Sequence, residues 1–126
     1  MGRIVLACLL VATVGHAAPR GRVKLLSVKT AGQITEKSKR IARKVSSSYL
    51  SGIKRCYAKT LAAEPEASGI LAVDITVAEV GRVQHAEVEG VDDDLDGCVR
   101  DLAKKWLFPP LITVAQEFQV RFVLTP

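Results

Sequence analysis

The sequence predicts an α+β domain in which a small three-stranded antiparallel sheet packs against two helices, in the order α-β-β-α-β. Three observations carry this. Ile41, Val45 and Tyr49 recur at four-residue spacing, and Leu50, Ile53, Tyr57 and Leu61 continue the apolar stripe of a helix. Leu71, Val73, Ile75 and Val77 alternate with more polar neighbours, as do Phe118, Val120, Phe122 and Leu124. That is the period of half-buried strands. Between them Leu95, Val99, Leu102 and Trp106 form a second helical stripe.

Residues 1–17 read as a secretory signal peptide. Arg3 supplies a positive start, Ile4 to Val14 a mostly apolar stretch, and Gly15-His16-Ala17 a small-residue cleavage site. The protein is therefore expected to be periplasmic or secreted. Cys8 lies too near the start for a lipoprotein anchor, and lipid attachment there is not expected. Residues 18–33 are basic and without a clear period, and read as a flexible lead-in to a domain spanning 34–126.

Thr35 is placed to cap the first helix, and Glu64-Pro65 to end it. Ser46-Ser47-Ser48 and Gly52 weaken its middle, where a break is expected. Gly69 opens the first strand, and Glu79-Val80-Gly81 turns it, with Gly81 free to take positive φ. The return strand, Arg82 to Glu89, changes parity between Val83 and Ala86, the mark of a bulge. Asp92-Asp93-Asp94 offers an N-cap and negative charge to the second helix. Leu107-Phe108-Pro109-Pro110 stops that helix, with Trp106 and Phe108-Pro109 read as core and turn. The final strand, from Val114 to Thr125, is expected nearest a free sheet edge.

Charge is divided unevenly. Residues 19–60 hold twelve Lys/Arg against one acid, Glu36, whereas residues 61–126 hold five basic residues against twelve acidic ones. A chain so divided can attract its own other half as well as outside anions. Lys39, Arg40, Arg43 and Lys44 crowd about two helical turns and are the candidate contacts for anionic lipid or polysaccharide at a membrane surface. No aromatic residues interleave there for base stacking, so nucleic acid is not expected.

The exported chain would keep two cysteines, Cys56 and Cys98, each beside an apolar helical stripe. In an oxidising compartment they are expected to pair. His85 has Glu87 two residues on, but no motif supplies a nucleophile and an orienting group, and no catalytic residue is assigned. Asp92-x-Asp94-x-Asp96-Gly97 copies the first half of a calcium loop. Its twelfth position would be Ala103, so helix capping is expected and neither metal nor cofactor is assigned.

Several motifs in order resemble the TonB C-terminal domain superfamily, more narrowly its AgmX/PglI-type C-terminal domains. They are Ile53-Lys54-Arg55-Cys56-Tyr57, Leu61 and Pro65, Gly69-Ile70-Leu71-Ala72-Val73, Gly81-Arg82-Val83, Leu95, Cys98-Val99, and Trp106 followed by Phe108-Pro109. The resemblance covers most of the chain beyond the leader. It implies that the cysteines join the two helices. It also implies a non-enzymatic module that engages an envelope or outer-membrane protein segment by strand addition. On this view Glu117, Gln119 and Arg121 of the last strand would face solvent or partner. The turn here reads Glu79-Val80-Gly81 where the family has Asp-Gly, and no membrane helix with a proline-rich spacer is read in the sequence. The expectation is therefore a fold and a binding style, not energy transduction.

Overall fold

A computed structural model describes residues 21–110 and 114–126. The leader expected at 1–17, with Cys8, lies outside the described residues. The elements run β1 (Arg22–Lys29), α1 (Glu36–Lys44), a π turn (Val45–Tyr49), α2 (Leu50–Ala63), β2 (Gly69–Val77), β3 (Val83–Glu89), α3 (Asp93–Ala103) and β4 (Gln116–Thr125). The architecture is α+β in two layers, with the long α1–α2 helix and α3 on one face of an antiparallel sheet.

The sheet has four strands rather than three, in the order β1-β4-β2-β3. Its extra member is β1, which occupies half of the segment read as a flexible lead-in. A bulge between Leu25 and Ser27 explains why its period was illegible. Val23 and Val28 both point into the core, yet the bulge puts them out of step, and Leu26 is left half-exposed. Gly21, at φ +62°, lets the entering chain lie against the Tyr57 ring and Leu61.

This extra strand also corrects the position of β4. It is not an edge strand: it pairs with β1 on one side and β2 on the other. The edges are β1 and β3. The bulge expected in the return strand is present, since Thr76 pairs with His85 and Val77 with Val83, leaving Gln84 over.

The long helix does not break at its serines; it widens. Apolar residues spaced by four drift about 40° per step around an α-helix, so the stripe from Ile41 to Leu61 would rotate by about 200°. A π turn takes up one extra residue and removes about half of that drift. It falls on Val45–Tyr49, so that Ile41, Val45, Ile53, Tyr57 and Leu61 all remain buried against the sheet. Thr35 caps α1, its hydroxyl accepting from the Ser38 N–H while the Ser38 hydroxyl accepts from the Thr35 N–H.

Asp92 caps α3, its carboxylate accepting from the N–H groups of Asp94 and Leu95. The helix ends at Ala103, so Trp106 lies beyond it rather than on its last turn. Trp106 and Phe108 are buried, and both pack on Tyr49 of the π turn. The Tyr49 and Trp106 rings stack with centroids 5.2 Å apart. The Tyr49 hydroxyl donates to the Leu107 carbonyl at 2.8 Å and accepts from the Leu107 N–H at 2.9 Å. A side chain from the first helix thus fixes the loop that follows the last.

Asp96 in the first turn of α3 carries a carboxyl raised above its ordinary value, chiefly by burial, with the charges of Asp92 and Asp93 adding to it. Backbone N–H groups of Gly90 and Val91 oppose the shift. One Asp96 carboxylate oxygen is buried without a hydrogen-bond partner. The folded chain therefore holds this proton more tightly than the unfolded chain. Stability falls as pH rises from the unfolded value through the raised one, and the penalty is complete above the raised value. Asp96→Asn is expected to raise the melting temperature at pH 7 and to lose that advantage in acid; melts at pH 7 and pH 3 check it.

Candidate functional site

Two surfaces gather the residues singled out by the sequence. The first is the sheet. Because β4 is central, its main chain is committed on both sides, and Glu117, Gln119 and Arg121 cannot receive an added strand there. Their side chains project onto the sheet face opposite the helices, where Glu117 and Gln119 are exposed and Arg121 half-buried. A proline at Gln119 would remove the residue's single N–H and break a ladder hydrogen bond inside the sheet.

The strand that can accept a partner is β3. Among the described residues no strand pairs with its outer edge, apart from one bridge between Arg82 and Leu107 at its start. From His85 to Glu89 its register with β2 is regular, and Glu87 and Glu89 stand exposed on that run. The opposite edge, β1, is bulged in its middle and carries Arg22, Lys24 and Lys29. A bulge and lysines on an edge both discourage further pairing.

Inward, α3 covers the β3 side of the sheet, and it is tied to α2 by a disulfide between Cys56 and Cys98 with an S–S distance of 2.05 Å. Cys56 is buried and Cys98 half-buried. The bridge ties α3, which lies behind β2 and β3, to α2, which packs on β1, and so links the two halves of the helical layer beneath the sheet.

The second surface is a shallow groove where α1 meets the π turn. Arg40, Arg43 and Lys44 line it with Ser46, Ser47 and, across from them, Pro109. The spacing of these cations puts them on one helical face. Lys39 is not among them; it pairs with Glu36 at 3.5 Å on exposed surface. Lys44 also sits 5.8 Å above the Tyr49 ring, within reach of a cation–π attraction. The serine hydroxyls that the π turn brings beside these cations could not be placed from the sequence, because their position depends on the widened turn.

His85 bonds Glu87 at 2.9 Å on the open face of the sheet, both side chains mostly exposed. Among the described residues no group of three or more His, Cys, Asp or Glu side chains is arranged to hold a metal ion. The chain matches no family model, no curated protein and no solved structure.

Proposed function

We propose that this chain is an exported, non-enzymatic binding module of the cell envelope, with a TonB C-terminal-like fold, that takes an extended protein segment along the outer edge of β3. The observation that carries the reading is the regular run from His85 to Glu89, whose outer edge no strand among the described residues pairs with. Main-chain hydrogen bonds along such an edge supply affinity, and alternating side chains supply selectivity. Glu87 and Glu89 favour a segment rich in Lys or Arg.

Two further observations support the reading. The Cys56–Cys98 bridge is compatible with an oxidising compartment and joins α2 to α3, the pairing that the resemblance implies. Gly81 and the Trp106-to-Pro109 segment, both part of the resemblance, meet in space, with the Phe108 N–H donating to the Gly81 carbonyl at 2.8 Å.

A second reading, binding of an anionic lipid or polysaccharide, rests on the groove of Arg40, Arg43 and Lys44 beside the π turn. Site-specific photocrosslinking in envelope preparations separates the two. A crosslinker at Gln84 or Glu89 is expected to trap a polypeptide, and reversing the charges of Arg40, Arg43 and Lys44 should leave that yield unchanged. Absence of any β3 adduct, together with salt-resistant binding to anionic vesicles that charge reversal destroys, would replace the first reading with the second.

A further inference from the structure

The face of the sheet turned away from the helices carries charge that the described residues do not neutralise. Register places its outward side chains in rows across the strands. One row reads Lys29, Gln119, Asp74, Glu87; the next reads Ser27, Arg121, Ala72, Glu89; a third holds Lys24, Val123 and Ile70. Asp74 and Glu87 stand directly opposite one another, an arrangement that costs stability unless a cation compensates it. Lys29 lies in the same row but three strands away, about 14 Å at ordinary strand spacing, too far to pair. Among the described residues the one contact between acidic and basic side chains on this face is the His85–Glu87 hydrogen bond. Ile70 is 38% exposed in the third row, beside Val123 and two strands from Lys24.

From this distribution we infer that a second copy of the chain packs on the open sheet face, related by a two-fold axis running along the strands between the two sheets. Such an axis keeps each row at its own level and reverses its order. Lys29 then stands opposite the second copy's Glu87, and Gln119 opposite its Asp74. In the next row Arg121 lies one strand from the second copy's Glu89. In the third, Val123 and Ile70 exchange places, so that apolar meets apolar. The other in-plane axis, across the strands, would set the basic β1 against itself and the acidic β3 against itself. Packed sheets sit about 10 Å apart, within reach of a lysine and a glutamate extended toward one another.

The face measures roughly 19 Å by 25 Å from strand spacing and rise, near 500 Å² per copy. That is at the low end for specific association, so the dimer is weak, concentration-dependent and sensitive to salt. It leaves the outer edge of β3 open and goes beyond the strand-addition reading without depending on it.

Sedimentation velocity of the purified protein with its disulfide intact, from low micromolar to submillimolar concentration in low salt, tests the inference. The native chain is expected to shift from monomer to dimer. Lys29→Glu and Glu87→Lys are each expected to weaken dimerisation at least several-fold, and the double variant to recover it, because the exchanged charges again face each other across the axis. Both side chains lie outside the core, so thermal melts should show folded variants. A monomer at every concentration would overturn the inference. So would a dimer in which the double variant is no better than the single ones, the result expected of pairing through the β3 edge.

Discussion

Gly81→Ala is expected to be the most damaging single-methyl change in this protein. Gly81 sits at φ +90°, and a Cβ there would fall 1.8 Å from the backbone carbonyl oxygen of Phe108. No rotamer relieves a clash with main chain, so the turn or the 106–108 segment must move. Either movement breaks the bond from the Phe108 N–H to the Gly81 carbonyl and loosens the stacking of Trp106 on Tyr49. Backbone strain of about 1–2 kcal/mol, overpacking of about 1–3 and a lost hydrogen bond of about 1 together approach several kcal/mol. A domain of this size has only about 5–15 to lose. Gly32→Ala provides the comparison. Its φ is +75°, yet an added Cβ would meet nothing within 4 Å, so only the conformational cost applies. Urea unfolding should show Gly81→Ala shifted far more than Gly32→Ala; equal midpoints would contradict the packing described here.

Opening the disulfide is expected to have a comparable effect by a different route. Cys56 and Cys98 are 42 residues apart in sequence, and the bridge between α2 and α3 withholds that loop's freedom from the unfolded chain. In the chain-entropy model this is about 4 kcal/mol. For a domain near 100 residues that corresponds to a fall in melting temperature of roughly 15–30 °C. Paired Cys56→Ser and Cys98→Ser substitutions, or native protein melted with and without reductant, measure it. The loss should appear in both experiments, and a reductant-insensitive melt would argue that the bridge does not form in the purified protein. The spare edge of β3 lies on the sheet that this helix pair covers, so partner capture at Gln84 or Glu89 should fall with stability.

Several features could be read from residues alone because they depend on near neighbours. The caps at Thr35 and Asp92, the turn at Gly81, the parity change near Gln84 and the alternation of β2 and β4 are all set within a few positions in sequence. The outward placement of Glu117 and Gln119 follows from the same alternation. The π turn left a trace too. Tyr49 continues a spacing of four that a straight α-helix cannot keep buried for so long. Strand β1 left little, because the bulge at Leu25–Ser27 cancels its period and its lysines and arginines resemble those of a tail.

What the sequence determined by itself was therefore local: which segments are helical or extended, which side of each is apolar, and which two thiols lie beside apolar helical faces. Which strands lie side by side was decided only in three dimensions. The insertion of β4 between β1 and β2 made a central strand of the one expected at the edge, left β3 as the regular free edge, and placed Lys29 and Glu87 at opposite ends of one row. Strand order depends on hydrogen bonds between segments far apart in sequence, and a strand's own side-chain pattern is the same whether one or both of its main-chain edges are paired.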